Sequence, residues 1–211
     1  VLDGIYQVPA TFVIPSGQHL EVAVGTILKF EPGVRFLVKS GGRVTCNGTT
    51  DSPIVFTSAA SEPSAGSWTG IYFEENATGH LKNCEIAYAS YGVQAYKSTV
   101  TIEDSILHHN TDGLYARYNC TVTVTGTTLR NNENGVRAYA HQYGSSSSYR
   151  NVPDVSVTGS ALYDNSGRNY RLEYGKSQSR YPLPWPGVVL NATSNWWGTW
   201  DPQQIRGTIH D

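Results

Sequence analysis

Gly70-Ile-Tyr-Phe, Gly92-Val-Gln-Ala, Gly113-Leu-Tyr-Ala and Gly135-Val-Arg-Ala lie within the stretch Trp68 to Leu172, with their glycines 22, 21 and 22 residues apart (92−70, 113−92, 135−113). A second block accompanies them: Ser105-Ile-Leu-His-His-Asn110, Thr127-Thr-Leu-Arg-Asn-Asn132 and Ser160-Ala-Leu-Tyr-Asp-Asn165. A fixed period of this size, built from short alternating runs, marks a solenoid whose units stack on one another. Side chains after each glycine alternate between inside and outside. The inward columns read Ile71, Val93, Leu114, Val136 and Phe73, Ala95, Ala116, Ala138, with Leu107, Leu129 and Leu162 forming a third. Asn110, Asn132 and Asn165 are expected to take a left-handed turn and to hydrogen-bond one another from coil to coil. Ala89 holds that position one coil earlier, so the ladder starts at Asn110.

Residues 1–67 read as N-terminal coils: period-2 runs such as Leu20-Glu-Val-Ala-Val and Ile27-Leu-Lys-Phe alternate with Gly and Pro turns. Residues 68–172 are the regular coils and 173–211 a C-terminal loop and cap, all in one domain. The gaps Asn132–Asn165 and Asn165–Asn195 are 33 and 30, longer than the period by about 11 and 8. Two long loops therefore leave the coil after the same strand, and such loops often carry function. Asp201-Pro202 predicts a short capping helix, with Gln204 completing a capping box. Trp196, Trp197 and Trp200 are expected to cover the open end of the core.

Charged residues are 15% of the chain, 15 basic against 17 acidic, so no global field recruits nucleic acid. No apolar run reaches the roughly 20 residues of a membrane helix. Cys46, Cys84 and Cys120 suit three buried thiols, the alternative being one disulfide with a thiol left over. The start at Val1 without Met reads as a processed piece of a larger secreted protein.

The tandem Gly-hydrophobic-x-Ala repeats, Gly66-Ser-Trp68-Thr-Gly70-Ile71 and the Asn195-Trp-Trp-Gly ending carried on to Ile205 resemble the right-handed parallel β-helix proteins. More narrowly they resemble the pectate-lyase-like superfamily and bacterial secreted or cell-surface β-helix modules. That resemblance implies an all-β, single-stranded right-handed parallel β-helix of 21–22-residue coils, located extracellularly or at the cell surface. The fold hosts lyases, glycosidases, adhesins and spacers alike, so it does not fix an activity.

The outward columns on the strand after the glycine read Tyr72, Gln94, Tyr115, Arg137, Arg171 and Glu74, Tyr96, Arg117, Tyr139, Glu173. Aromatic faces stack on sugar rings and arginine forks grip carboxylates. The expected ligand face is Tyr72, Tyr96, Tyr115, Arg117, Arg137, Tyr139, Arg171 and Glu173, with Arg150 and Arg180 added by the loops. It suits an extended glycan, acidic ones included. Glu74 and Glu173 are four rungs apart, about 19 Å, too far to act as a glycosidase pair. Asp112 and Glu133 are expected as solvated turn carboxylates. His108 and His109, as strand neighbours, are expected on opposite faces. A lyase would need one base and one group neutralising the uronate. Arg117, Arg137 and Arg171 are the neutralising candidates and Tyr115, Tyr139 and His141 the bases. Such a lyase would bring calcium; otherwise no cofactor is expected. A polysaccharide-binding module is the first reading, a polysaccharide lyase the alternative, and a structural or adhesin segment the third.

Overall fold

The computed structural model describes residues 2–142, 150–175 and 191–210, with Gln142, Arg150 and His210 described in their backbone alone. Each coil visits three sheets in turn. Around the middle of the chain, Thr99–Glu103 lies in sheet A, Ile106–His108 in sheet B and Asp112–Arg117 in sheet C, after which Thr121–Thr125 returns to sheet A. Pairing between coils is parallel throughout. Among the described residues the exception is Arg150–Asn151, which folds back antiparallel on His141 and Gln142. The chain is a right-handed parallel β-helix, the hand that parallel crossovers take almost without exception.

The stacked columns follow the sequence period. Val93 pairs Ile71 and Leu114, and Leu114 pairs Val136. Leu107 pairs Leu129, which pairs Leu162. All of these side chains are fully buried. At the N-terminal end the core is aromatic: Phe30 stacks on Trp68 at 4.2 Å between ring centroids, and Phe36 meets Phe56 edge-on at 5.6 Å. The indole Nε1 of Trp68 donates to the Ala87 carbonyl at 2.8 Å, so the ring's polar atom is satisfied. The middle coils carry aliphatic side chains in place of these rings, and a ring returns at Tyr170, which pairs Val136 and is 2% exposed.

Two polar ladders bind successive coils at the corners. At the turn from sheet B to sheet C, the Asn110, Asn132 and Asn165 Oδ1 atoms accept the backbone N–H groups of Ala89, Asn110 and Asn132 at 2.8, 2.9 and 3.0 Å. Their Nδ2 groups donate to the carbonyls of Ile86, Leu107 and Leu129. The left-handed residue is not the ladder asparagine but the one before it: Tyr88, His109, Asn131 and Asp164, with φ of 64°, 53°, 54° and 53°. Gly92 and Gly113 lie against this ladder. A Cβ on Gly113 would stand 2.7 Å from the Gly135 carbonyl oxygen and 3.1 Å from Asn132 Nδ2, so the Asn-x-x-Gly repeat is one packing unit.

Asn195 does not continue that ladder. It closes the second one, at the turn from sheet A to sheet B. There Ser105, Thr127 and Ser160 hydroxyls accept the N–H groups of Cys84, Ser105 and Thr127, and Asn195 Oδ1 accepts Ser160 N–H at 2.9 Å. Measured from Ser160, the last insertion is therefore longer than the Asn165–Asn195 spacing implied. Helix Pro202–Thr208 is capped by Asp201, whose Oδ1 accepts Gln203 N–H at 2.9 Å. The Asp201 N–H is taken by Thr199 Oγ1, not by Gln204 as a capping box requires. Trp197 packs against the core, whereas Trp200 is 80% exposed and lies on Trp196, not over the core. The three cysteines are buried and free. No helix among the described residues is long and apolar enough to cross a membrane.

Candidate functional site

Sheet C presents three outward columns. Gln94 pairs Tyr72 and Tyr115, Tyr115 pairs Arg137, and Arg137 pairs Arg171. Beside this row run Tyr96, Arg117, Tyr139 and Glu173, again in register. The third column, Tyr91, Asp112, Asn134 and Arg168, escaped the sequence reading. It arises because the pairing passes over Gly92, Gly113 and Gly135, so the residue before each of these glycines joins an outward column.

This added column changes the electrostatics. Asp112 is not a solvated turn carboxylate; it lies in strand Asp112–Arg117 and is 1% exposed. Its Oδ1 accepts Asn134 Nδ2 at 2.8 Å and its Oδ2 meets Arg137 Nη1 at 3.1 Å. Burial raises its carboxyl above the ordinary value, against the opposing pull of Asn134 and Arg137. Glu133 is exposed, as expected. Arg137 also donates Nε to Glu173 Oε2 at 2.8 Å, and Arg171 binds the other Glu173 oxygen. The forks of Arg137 and Arg171 are thus held by carboxylates of the face itself.

Arg117 differs. Among the described residues it makes no ion pair, and its Nε is buried without a hydrogen-bond partner. Its guanidinium carbon lies 5.3 Å from the Tyr96 ring centroid and 5.7 Å from those of Tyr115 and Tyr118. Tyr115 is itself buried, stacked on Tyr91 at 5.2 Å and capped by Arg137 at 4.7 Å, so its ring faces protein. Tyr72, Tyr91, Tyr96, Tyr118 and Tyr139 remain half-buried on the face. Tyr139 stacks on His141 at 5.9 Å, its hydroxyl 3.3 Å from His141 Nδ1. Burial raises both Tyr115 and Tyr139 above the ordinary phenol value, which disfavours the phenolate a base would need. Arg180 and the side chain of Arg150 lie outside the described residues.

A second cluster lies on sheet B. His108 and His109 do not point apart: His109 takes φ 53°, which ends strand alternation and brings its Nδ1 to 2.7 Å from His108 Nδ1. His108 Nε2 pairs in turn with Glu85 Oε1 at 3.1 Å, one coil below. That hydrogen bond lowers the Glu85 carboxyl, while burial, His108 and Arg130 lower the imidazole of His109. Among the described residues, no three His, Cys, Asp or Glu side chains converge to hold a metal ion.

Residues 2–103 match the family described as the pectate-lyase-like beta helix domain. The matched segment includes Tyr72, Tyr91 and Tyr96 and ends before Arg117 and Arg137. Comparison with curated proteins and with solved structures gives no match.

Proposed function

We propose that this parallel β-helix, with its pectate-lyase-like domain over residues 2–103, is a secreted or cell-surface module that binds an extended polysaccharide along sheet C. The observation that carries the reading is the Arg117 guanidinium, unpaired by any described carboxylate and set among Tyr96, Tyr115 and Tyr118 on a flat parallel sheet. Half-buried phenol rings give sugars a platform that is already rigid, so little side-chain entropy is lost on binding. A guanidinium held by Tyr72 and Tyr115 and neutralised by no described carboxylate supplies a directed donor for a ring hydroxyl or a uronate.

Lysis is less well supported by the same geometry. Arg137, a candidate for neutralising a uronate, is occupied by Asp112 and Glu173, and burial raises the tyrosines that would serve as bases. The test is affinity electrophoresis and calorimetry against polygalacturonate, alginate, xylan and β-glucan. At least one polymer should bind, with Arg117→Ala and Tyr96→Ala each weakening it about tenfold and no unsaturated product appearing. Unchanged binding in both variants would remove sheet C as the site, and an unsaturated product would turn the reading to lysis.

A further inference from the structure

Trp200 is 80% exposed, and it is informative only because a second indole lies against it. Its ring centroid lies 4.4 Å from that of Trp196, tilted by 59°. Trp196 is fixed by the fold: its N–H donates to the Ser160 carbonyl at 2.8 Å, its carbonyl accepts Leu162 N–H at 2.7 Å, and it bridges Ala161 in parallel. The two indoles wall one end of a trough of about 540 Å³ at the corner of sheets A and B. That volume falls within the range of small-ligand sites, about 300–1,000 Å³.

The trough exists because of what the turns lack. Gly126 and Gly159 occupy the left-handed position, with φ of 58° and 57°, where earlier coils carry Asn83 and Asp104. The corner is open at Gly159, whereas at Gly126 the Asp104 carboxylate of the preceding coil comes within 2.5 Å of where a Cβ would stand. Thr128 and Ala161, paired in register, form the floor. Thr128 and Ser194 bring hydroxyls that bond no described residue, and no lining residue is charged. Sheet C differs: it carries rings and charges, and its Asp112 and Glu173 carboxylates are paired within the face.

We infer that this trough is a second carbohydrate subsite, taking an uncharged pyranose unit stacked on Trp200 and Trp196. An indole face favours the C–H side of a sugar ring, and hydroxyl groups at the edges take its hydroxyls without a counter-ion. An acidic sugar would find no cation there. The site is independent of the sheet C reading, since it shares no residue with that face.

Titration calorimetry with cellohexaose, xylohexaose and mannohexaose tests it, with tri-galacturonate as the charged control. At least one neutral hexasaccharide should give a saturable isotherm. Trp200→Ala, which removes an exposed ring, and Ala161→Leu, which fills the floor, should each weaken it about tenfold. Arg117→Ala should leave it within twofold, and melting curves should show both trough variants folded. Absence of binding by all three sugars overturns the inference, as do trough variants that bind like the parent. Loss with Arg117→Ala alone would assign the sugar to sheet C and remove this site. Sedimentation showing a dimer abolished by Trp200→Ala would assign the indole to a second copy of the chain instead, again overturning it.

Discussion

Asp112 Oδ2 and Arg137 Nη1 stand 3.1 Å apart on neighbouring rungs of sheet C, one of them 1% exposed and the other reaching the surface. The carboxylate is tolerated in the wall because this guanidinium and the Asn134 amide both meet it. Removing one partner of such a pair leaves a buried charge uncompensated, which costs about 3 kcal/mol or more. Arg137→Ala should therefore lower urea stability by that amount. Adding Asp112→Asn to it should restore at least half, because the stranded charge is then gone. A double variant no better than the single one would mean the pair is unimportant.

Gly79 stands in a valine column of sheet A, between Val44 and Val100. A Cβ there would lie 2.4 Å from the Phe73 ring, which fills the space a valine leaves empty elsewhere. Gly79→Ala should cost about 1–3 kcal/mol by overpacking. Gly79→Ala combined with Phe73→Leu should lose less than the two separate losses added together, and thermal melts of the four proteins check this.

Asn132 serves three neighbours: it accepts from Asn110 N–H, donates to the Leu107 carbonyl and donates to Asn165. It is 2% exposed, so no water replaces those bonds. Asn132→Ala should cost about 2–3 kcal/mol, since unsatisfied buried groups cost about 1–3 kcal/mol each. Asn165→Ala, at a half-buried position, should cost less. Denaturant curves giving the reverse order would contradict the ladder's role.

His108 lowers the Glu85 carboxyl, so this group binds its proton more weakly folded than unfolded. The stability it lends is present above about pH 4.3, the unfolded value, and is lost as pH falls through the lower folded one. Asp112 has the opposite sign, its raised carboxyl favouring the folded state at low pH. Comparing the parent with Glu85→Gln cancels that contribution. The melting temperatures should differ by ~1–2 °C at pH 5.5, as befits a partly exposed pair of about 0.5 kcal/mol. The difference should vanish near pH 3; a constant difference would exclude the linkage.

The coil was legible wherever period alone decides position. Ile71, Val93, Leu114 and Val136 stack as their spacing implies, and so do the outward row beginning at Tyr72 and the second row from Tyr96 onward. Glu74, read as the first member of that second row, instead lies past strand Trp68–Phe73 and binds Lys39. What stayed hidden depends on local departures from period 2. Skipping Gly113 in the pairing turned Asp112 into a wall residue, and the left-handed backbone at His109 swung its ring onto His108. Alternation also gives a side chain's direction but not its cover: Tyr115 faces outward and is still enclosed by Tyr91 and Arg137. Asn195 repeats a residue type while occupying another corner, because the preceding insertion absorbed the difference in length.

The aromatic packing of the first coils and the amide ladder of the later ones respond differently to temperature. Apolar burial weakens on cooling, whereas a hydrogen-bonded lattice of carbonyls and amides does not share that loss. Chilling should accordingly loosen the chain from the Phe30–Trp68 end, with amide exchange near 0 °C quickening around Leu28 and Phe56 before Leu129. A protein built from one repeated winding would then hold two thermal personalities, one at each pole of its axis.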